Sequence, residues 1–286
     1  MKKTLIALTV AVSAVVSGSA MAGLQGWSEG TTGGTVNVGG TITVDNTPVW
    51  LVTTGSGFSG FSNKDTDLTD GNKRLTVNAP EAIPVLAIRS KEAYTAGDYA
   101  KGTMPSVVIS GGDGTAIAFR DWNNGSADIS APVYVNGAIA GTAKFKSLPT
   151  GAVAYCSSNK DQGIGLVVSN NGKQPTVLFS GIVGGGGEAT GLSTTESLLS
   201  SLGFSGQLDE TKRLAGTFSS WQDNQYMSGV TPSNINEKFN DDDLKTAAFF
   251  AGFGVKQNGV IDLAFTNAIQ STTTWTVPIN VSVSYN

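Results

Sequence analysis

The feature that most constrains this chain is its C-terminal segment, where apolar and polar residues alternate from Trp275 to the penultimate Tyr285. Alternation with a period of two predicts a β-strand with one buried face and one solvent-exposed face. A chain that stops on such a strand cannot turn back to supply the next one, so we predict an open edge that another chain must cover. The predicted acceptor-edge residues are Trp275, Val277, Ile279, Val281, Val283 and Tyr285.

A second alternating segment lies near the other end of the chain, over residues 35–44, and an Asn-Thr-Pro turn separates it from the body of the chain. We predict that it is a spare strand, able to fill the open edge of another copy. The residues on the face that would enter this edge are Val36, Val38, Gly40, Ile42 and Val44. The alternative is that these residues form an ordinary first strand within their own domain.

Residues 1–22 have the pattern of a bacterial signal peptide. Lys2 and Lys3 are followed by an apolar stretch from Thr4 to Val16, and Ala20-Met21-Ala22 resembles a cleavage site. No later apolar run is long enough for a membrane helix. We therefore expect export through the periplasm to the cell surface, with a mature start at Gly23.

Composition favours an all-β fold with many turns, since the chain has 37 glycines and only 14% charged residues. Asn136-Gly137 is a strong hairpin signal, Asn258-Gly259 joins two later strands, and Gly111–Gly114 is a plausible hairpin loop before a strand at Thr115–Arg120. Short strands at this spacing predict a sandwich of immunoglobulin-like type over residues 46–286.

The stretch from about 157 to 240 differs from the rest and is interpreted as an insertion into the sandwich. Ser193–Glu196 matches a capping box, apolar residues follow at helical spacing, and Gly203 is placed to end the helix. Inserted loops carry function more often than scaffold strands do.

The residues argue against most chemistry. The chain has no histidine, and Cys156 is its only cysteine, which excludes Ser-His-Asp or Cys-His catalysis and the usual zinc sites. Asp65–Gly71 fits a turn better than a calcium loop. A net charge of −4 without a basic cluster argues against nucleic-acid binding. We predict no cofactor, no metal and no enzymatic activity, with a two-carboxylate glycosidase as the remote alternative.

With catalysis set aside, the sequence favours a binding function. Sugar sites combine a few placed polar groups with apolar walls. Two polar segments in the insertion offer such groups, and each is also compatible with a simple turn. Their candidate glycan-binding residues are Asn159, Lys160 and Asp161 in one segment and Asn170, Asn171 and Lys173 in the other.

Several segments resemble the FaeG/ClpG-type adhesive major fimbrial subunits of enteric bacteria, which are assembled by the chaperone–usher route. The similarity spans the mature chain. The segments that carry it are Gly26–Gly30, Val36–Thr43, Gly57–Asn63, Arg89–Tyr94 and Trp275–Val281, together with Tyr285.

The resemblance implies an all-β, incomplete immunoglobulin-like domain that lacks its last strand, with an inserted adhesive subdomain containing one or two short helices. It implies that residues 23–45 form a donor-strand extension, which fills the groove of the neighbouring copy in a polymer of identical chains. It further implies three kinds of partner, namely a periplasmic chaperone, an outer-membrane usher and minor fimbrial subunits. It also implies binding to host glycoproteins or glycolipids.

Carried over by position, the receptor site falls on Val168–Lys173. The sequence departs from the relative there, since Lys173 replaces an arginine and makes point contacts rather than a bidentate fork, which argues against a shared sugar specificity. A purely structural pilin is the main alternative.

Overall fold

The computed structural model describes residues 50–94, 105–158, 162–169, 179, 181–185, 188, 190–218, 220–223, 227–228 and 244–285. All of them belong to the unit that spans Asn46–Asn286. The predicted signal peptide, 1–22, and the predicted donor extension, 23–45, lie outside the described residues.

The described residues confirm the predicted all-β class with short helices. Two α-helices, α1 (Leu192–Ser200) and α2 (Ser205–Ala215), lie between the ninth and tenth strands. Neither is long and apolar enough to cross a membrane, and the same holds for every helix in the described ranges. In chain order the strands are β1 Trp50–Thr54, β2 Leu68–Thr69, β3 Arg74–Asn78, β4 Ile83–Ser90, β5 Pro105–Gly111, β6 Arg120–Asn123, β7 Ser126–Val135, β8 Ala138–Ser158, β9 Gly163–Ser169, β10 Trp221–Asp223, β11 Met227–Ser228, β12 Leu244–Val255, β13 Val260–Phe265, β14 Trp275–Thr276 and β15 Ile279–Tyr285.

The 21-residue strand β8 belongs to two sheets. Its first half pairs with β7 and, over Gly141–Phe145, with β13, which continues to β3 and β2. Its second half, from Thr150 onward, pairs with β12, which continues to β4 and β1, and with β9 on its other edge. A third, separate sheet contains only β5 and β15.

The change of sheet takes place near Ser147, which has a positive φ of 49°. The carboxylate of Asp128 accepts a hydrogen bond from the Ser147 backbone N–H at 2.8 Å, and the β7–β8 register shifts between Ala127 and Ile129. A bulge bends a strand and increases its twist. This bend lets one continuous strand serve both sheets.

The second half of β8 is buried on both faces. Ala152, Ala154 and Cys156 face one apolar cluster, which also contains Trp50, Leu86 and Phe249. Val153 and Tyr155 face the opposite side, where α1 and α2 cover the sheet with Leu199, Leu202 and Leu208. A further apolar cluster packs against the sheet that contains β3, β7 and β13. The prediction that Cys156 is buried is confirmed.

The predicted capping box is wrong. Helix α1 begins at Leu192, and the extended residue before it is Gly191, which has no side chain to cap with. Burial of Leu192, 4% exposed, together with Thr195 and Leu199 explains the earlier start. The carboxylate of Glu196 does not reach back to the helix terminus but accepts a hydrogen bond from the Tyr155 hydroxyl at 2.8 Å. Gly203 has the positive φ expected of a residue that follows a helix.

Two turn predictions have different outcomes. Asn136-Gly137 forms the predicted hairpin between β7 and β8, with positive φ at both residues. Asn258-Gly259 joins β12 to β13, but these strands lie on different sheets, so the connection crosses the sandwich. Gly111–Gly114 forms the predicted tight turn, and backbone hydrogen bonds from Gly111 to Thr115 and from Ile117 to Ile109 pair the residues on either side of it. The predicted strand Thr115–Arg120 is shorter than expected, since only Ala116 makes a bridge, to Ser110, before β6 begins at Arg120.

We predict that the docking of α2 is insensitive to pH above about 4.5 and weakens as the pH falls from there towards 2. Arg213, which donates hydrogen bonds of 2.7 and 2.9 Å to Glu210, lowers the pKa of that carboxyl from 4.5 to about 2, with a smaller contribution from Arg89 at 3.5 Å. A lowered pKa gives stability that is fully present above pH 4.5 and is lost as the pH falls towards 2. Urea unfolding midpoints between pH 2 and 7 should therefore fall less steeply in acid for Glu210→Gln than for the wild type.

The matched control is Glu81→Gln, because Glu81 is exposed and forms no ion pair with a described residue. It should leave the acid limb of the curve unchanged. Between about pH 5.5 and 7.5 all three curves should be flat, since the chain has no histidine. An acid limb that is identical in wild type and Glu210→Gln would contradict the assignment.

Candidate strand-acceptor groove

The terminal strand β15 is hydrogen-bonded along one edge only within the described part of the chain. Its partner is β5, in an antiparallel register that runs from Ile279 opposite Gly111 to Tyr285 opposite Pro105. No other described strand pairs with it. The second edge of β15 therefore presents backbone N–H and C=O groups that lack a strand partner.

The predicted terminal strand is interrupted. Trp275 and Thr276 pair with β7 as β14, whereas β15 begins only at Ile279. Pro278 lies between them, and a proline has no backbone N–H to donate to a sheet. Unbroken alternation in the sequence therefore corresponds to two short strands on two different sheets.

The alternation of apolar and polar residues nevertheless distinguishes the half-buried face of the terminal segment from its exposed face. Ile279, Val281 and Val283 are half-buried and pack on the core shared by β4, β8 and β12. Asn280 and Ser282, between them, are exposed. Trp275 and Val277 are half-buried against the other core cluster, and the side chain of Tyr285 lies outside the described residues. The role of these side chains as an acceptor face stays a prediction.

A groove with a volume of about 1480 Å³ lies beside this edge. Its walls are the 54–65 loop, the start of β4 and residues 269–281. The hydroxyl of Thr273, on the last of these walls, is buried and has no hydrogen-bond partner in the described ranges. Fully buried apolar side chains form the floor, namely Leu75, Phe145, Val255, Ile261 and Phe265.

Three aromatic rings close one side of the groove. Phe61 lies between Phe58 (ring centroids 4.9 Å apart) and Trp275 (5.3 Å apart). The loop that carries the phenylalanines approaches β4 so closely that a side chain at Gly55 would collide with the Pro84 carbonyl, 1.8 Å away. The groove therefore has an apolar floor and one aromatic wall, with hydroxyl and amide side chains along residues 54–63 and 270–274, and suits a strand with one apolar face.

Most of the predicted glycan-binding residues, Asn159, Lys160, Asp161, Asn170, Asn171 and Lys173, lie outside the described residues. Val168 is described and is 2% exposed, because its side chain packs into the core under β9. It can position the segment after it but cannot present its side chain to a ligand.

Strand β9 separates the two predicted groups along the chain. Residues 159–161 precede its first residue, Gly163, and residues 170–173 follow its last, Ser169. Six residue steps in a strand span roughly 20 Å. β10 starts beside Gly163, and β11 lies beside Val168 and Ser169. We therefore treat the two groups as separate candidates.

Sequence reasoning missed an aromatic cluster at the beginning of β10. The Lys212 ammonium lies 4.6 Å from the Trp221 ring centroid and 5.8 Å from that of Tyr155. Phe218 contacts Trp221 edge-on at 5.4 Å. These contacts fasten α2 to the sheet. No sequence motif marks them, because Tyr155, Lys212 and Trp221 come from three different elements.

The described residues contain no group of three or more histidine, cysteine, aspartate or glutamate side chains that could hold a metal ion. Asp65–Asp67 form one 3-10 turn, in which the Asp67 carboxylate accepts a hydrogen bond from the Lys64 backbone N–H at 2.8 Å. The predicted turn at this acidic segment is confirmed.

Comparison with known proteins adds an independent line of evidence. The family described as "Fimbrial, major and minor subunit", of K88 type, matches residues 1–286. The K88 fimbrial proteins AD and AC of Escherichia coli are 28% and 27% identical over the whole of both chains. The F41 fimbrial protein of Escherichia coli is 35% identical over 137 residues, about half of each chain.

We predict that the two faces of β15 respond differently to a charge. Val281→Asp should lower the free energy of unfolding by roughly 2 kcal/mol or more, because it puts a carboxylate against an apolar core without a partner. Ser282→Asp, one residue along on the exposed face, should change it by less than about 0.5 kcal/mol. Urea unfolding of the purified subunit measures both, and equal losses would contradict the assigned faces.

Proposed function

We propose a mode of assembly for this chain, which belongs to the K88-type family of major and minor fimbrial subunits: each copy fills its groove with the N-terminal extension of a neighbour. As a family member it is a structural subunit of an extracellular fimbrium and not an enzyme. Subunits of this kind polymerise with one another. The observation that carries the proposal is the edge of β15 that no described strand pairs with, beside a groove with an apolar floor.

The N-terminal extension has the alternating sequence that such a groove requires. As a strand, residues 36–44 would span roughly 26 Å, enough to cover the roughly 20 Å of β15. Its apolar residues Val36, Val38, Ile42 and Val44 would then share one face, with Gly40 between them. Burial of four such side chains offers roughly 6–10 kcal/mol before the cost of ordering the segment.

The sheet of β5 and β15 also needs a third strand. An isolated two-stranded ribbon is marginally stable in water. Here β15 is held by its pairing with β5 and by three half-buried side chains, Ile279, Val281 and Val283. A donated strand on the free edge would pair its backbone and cover these side chains, which couples polymerisation to completion of the fold.

Before polymerisation the same edge is a hazard, since exposed strand edges recruit other chains. We therefore propose that a periplasmic chaperone covers it after export, directed by residues 1–22, and that an outer-membrane usher passes the subunit on to the growing fibre. Minor fimbrial subunits would join through the same groove. These partners follow from the open edge and the family rather than from any contact described.

We further propose that the fimbria adheres to host glycoproteins or glycolipids through the inserted region at about 157–240. The supporting features are the polar residues Asn170, Asn171 and Lys173 after β9, with Asn159, Lys160 and Asp161 as a separate second group. A major subunit that binds sugar makes the fibre multivalent, which amplifies weak affinities. A purely structural subunit, in which the insertion only adds bulk, is the second candidate.

Donor-strand assembly predicts an asymmetry between neighbouring residues of the extension. Gly40→Leu should abolish or strongly reduce fimbriae, because Gly40 is on the face directed into the groove. Thr41→Leu adds a similar side chain to the opposite face and should be tolerated. Electron microscopy of cells and counts of surface subunits measure both variants.

Deletion of residues 23–44 is the stronger variant and should leave subunits that fold but do not polymerise. If the full-length purified subunit is itself monomeric, and as stable as the deletion variant, the proposed assembly is wrong. Normal fibres from Gly40→Leu would count against the assigned face.

The adhesive proposal predicts that Asn170→Ala, Asn171→Ala and Lys173→Ala together reduce binding of fimbriated bacteria to host cells by tenfold or more, as expected for loss of several hydrogen bonds. Alanine at Asn159, Lys160 and Asp161 provides the comparison, since these residues lie at the other end of β9. Fimbriae must be present in equal amounts. Unchanged adhesion in both variants would favour the purely structural candidate.

A further inference from the structure

A second cleft lies away from the groove, between residues 116–121 and strands β7 and β8. Its volume is about 320 Å³, at the small end of the range for ligand pockets. Ala116 and Ala118 are its exposed apolar residues, while the side chains of Ile117 and Ile129 pack inward on the core beneath it. Four charged side chains line the same cleft, namely Arg120, Asp121, Asp128 and Lys144.

Three of these charged groups hold one another in place. The Lys144 ammonium lies 3.0 Å from an oxygen of Asp128 and 3.4 Å from an oxygen of Asp121. The hydrogen bond from Lys144 to Asp128, above all, raises the pKa of the lysine. Asp128 also accepts a hydrogen bond from the Ser147 N–H at the bend of β8. The oxygens of Asp128 are thus held from two sides, whereas the Asp121 side chain, 70% exposed, is held only by Lys144.

Arg120 is available for a ligand. It lies directly opposite Asp128 in the pairing of β6 with β7. Its side chain is nevertheless exposed, and it forms no ion pair with a carboxylate of the described residues. A guanidinium has five N–H donors in a rigid fork, so it can hold two neighbouring oxygen atoms at once.

The wall of the cleft is where the local sequence and the structure disagree. Residues 115–120 have the composition of a strand, yet beyond the bridge at Ala116 and the hydrogen bond from the Ile117 N–H to the Ile109 carbonyl they form no regular strand until β6. Asp121 has a positive φ of 50° at the place where the β6–β7 register shifts, between Arg120 and Asn123, as expected at a bulge.

The chemistry of the lining matches a sugar ring. Vicinal hydroxyl groups can donate to the oxygens of Asp121 and Asp128 and accept from Arg120. The C–H face of a pyranose can pack on Ala116 and Ala118. A volume of about 320 Å³ suits one small ring.

We propose that this cleft binds a single pyranose residue of a host glycan and is a second sugar site, on the sandwich rather than on the insertion. The inference rests on the proposed adhesive function, whose own candidate residues flank β9.

The test uses purified assembled fimbriae and isothermal titration calorimetry. The probes are methyl glycosides of galactose, N-acetylgalactosamine, N-acetylglucosamine, fucose and N-acetylneuraminic acid, each up to about 10 mM, where weak single sites become measurable. At least one probe should bind the wild type. Arg120→Ala should weaken that binding roughly tenfold through the loss of a charged hydrogen-bond donor. Asp121→Asn, which keeps the shape of the side chain, should weaken it less.

Arg74→Ala is the matched control, because Arg74 is exposed and pairs with Asp70 outside the cleft. It should bind as the wild type does, and all variants should form fimbriae of normal appearance. No binding of any probe to the wild type overturns the inference, as does an equal loss in Arg74→Ala.

Loss of binding in the Asn170/Asn171/Lys173 variant, with Arg120→Ala unaffected, also overturns it while leaving the proposed adhesive site intact. Conversely, the fimbriae could bind a probe in a way that depends on Arg120 and yet fail to adhere to host cells. That result supports the sugar site in the cleft and contradicts the proposed adhesive function.

Discussion

Hydrogen bonding of β8 along both of its edges is the interaction on which the rest of this structure depends. One strand supplies a central position in two sheets, so the orientation of β12 and β13 is set by a single bend near Ser147. The ribbon of β5 and β15 is the exception, because among the described strands no series of pairings links it to β8. The proposed acceptor edge therefore lies on the part of the described domain that the central strand does not hold by hydrogen bonds, although Phe145 of β8 contributes to the groove floor.

Local sequence patterns predicted the faces of this protein better than its pairings. Alternation in the C-terminal segment correctly separates the half-buried Val281 from the exposed Ser282. It could not reveal that Pro278 divides the segment between two sheets, because partner choice depends on strands far away in the chain. For the same reason, Asn258-Gly259 was recognisable as a connection but not as a crossing from one sheet to the other.

The candidate sites were harder to predict, because they depend on tertiary packing that a local sequence pattern does not show. Val168 follows the strand pattern of β9, but only the fold shows that it is buried. The capping box failed because burial of Leu192 outweighed a cap at Ser193. The small charged cleft escaped notice because Asp121, Asp128 and Lys144 come from three elements, and the strand-like composition of residues 115–120 concealed the irregular wall beside them.

The pairing of β5 with β15 has a kinetic consequence. β5 ends at Gly111 and its partner begins at Ile279, so the ribbon closes a loop that contains β6 to β14. Contacts between distant residues form slowly, since the chain entropy of closure is lost before the contact can compensate for it. The hairpin of β7 and β8, by contrast, needs only a two-residue turn. Other pairings in the sheets built on β8, such as Leu263 with Leu75, join residues just as far apart, so the ribbon and the distant pairs of those sheets are all expected to close after the hairpin. The acceptor edge is then complete only when the rest of the domain is, which delays the moment at which a subunit becomes competent to join a fibre.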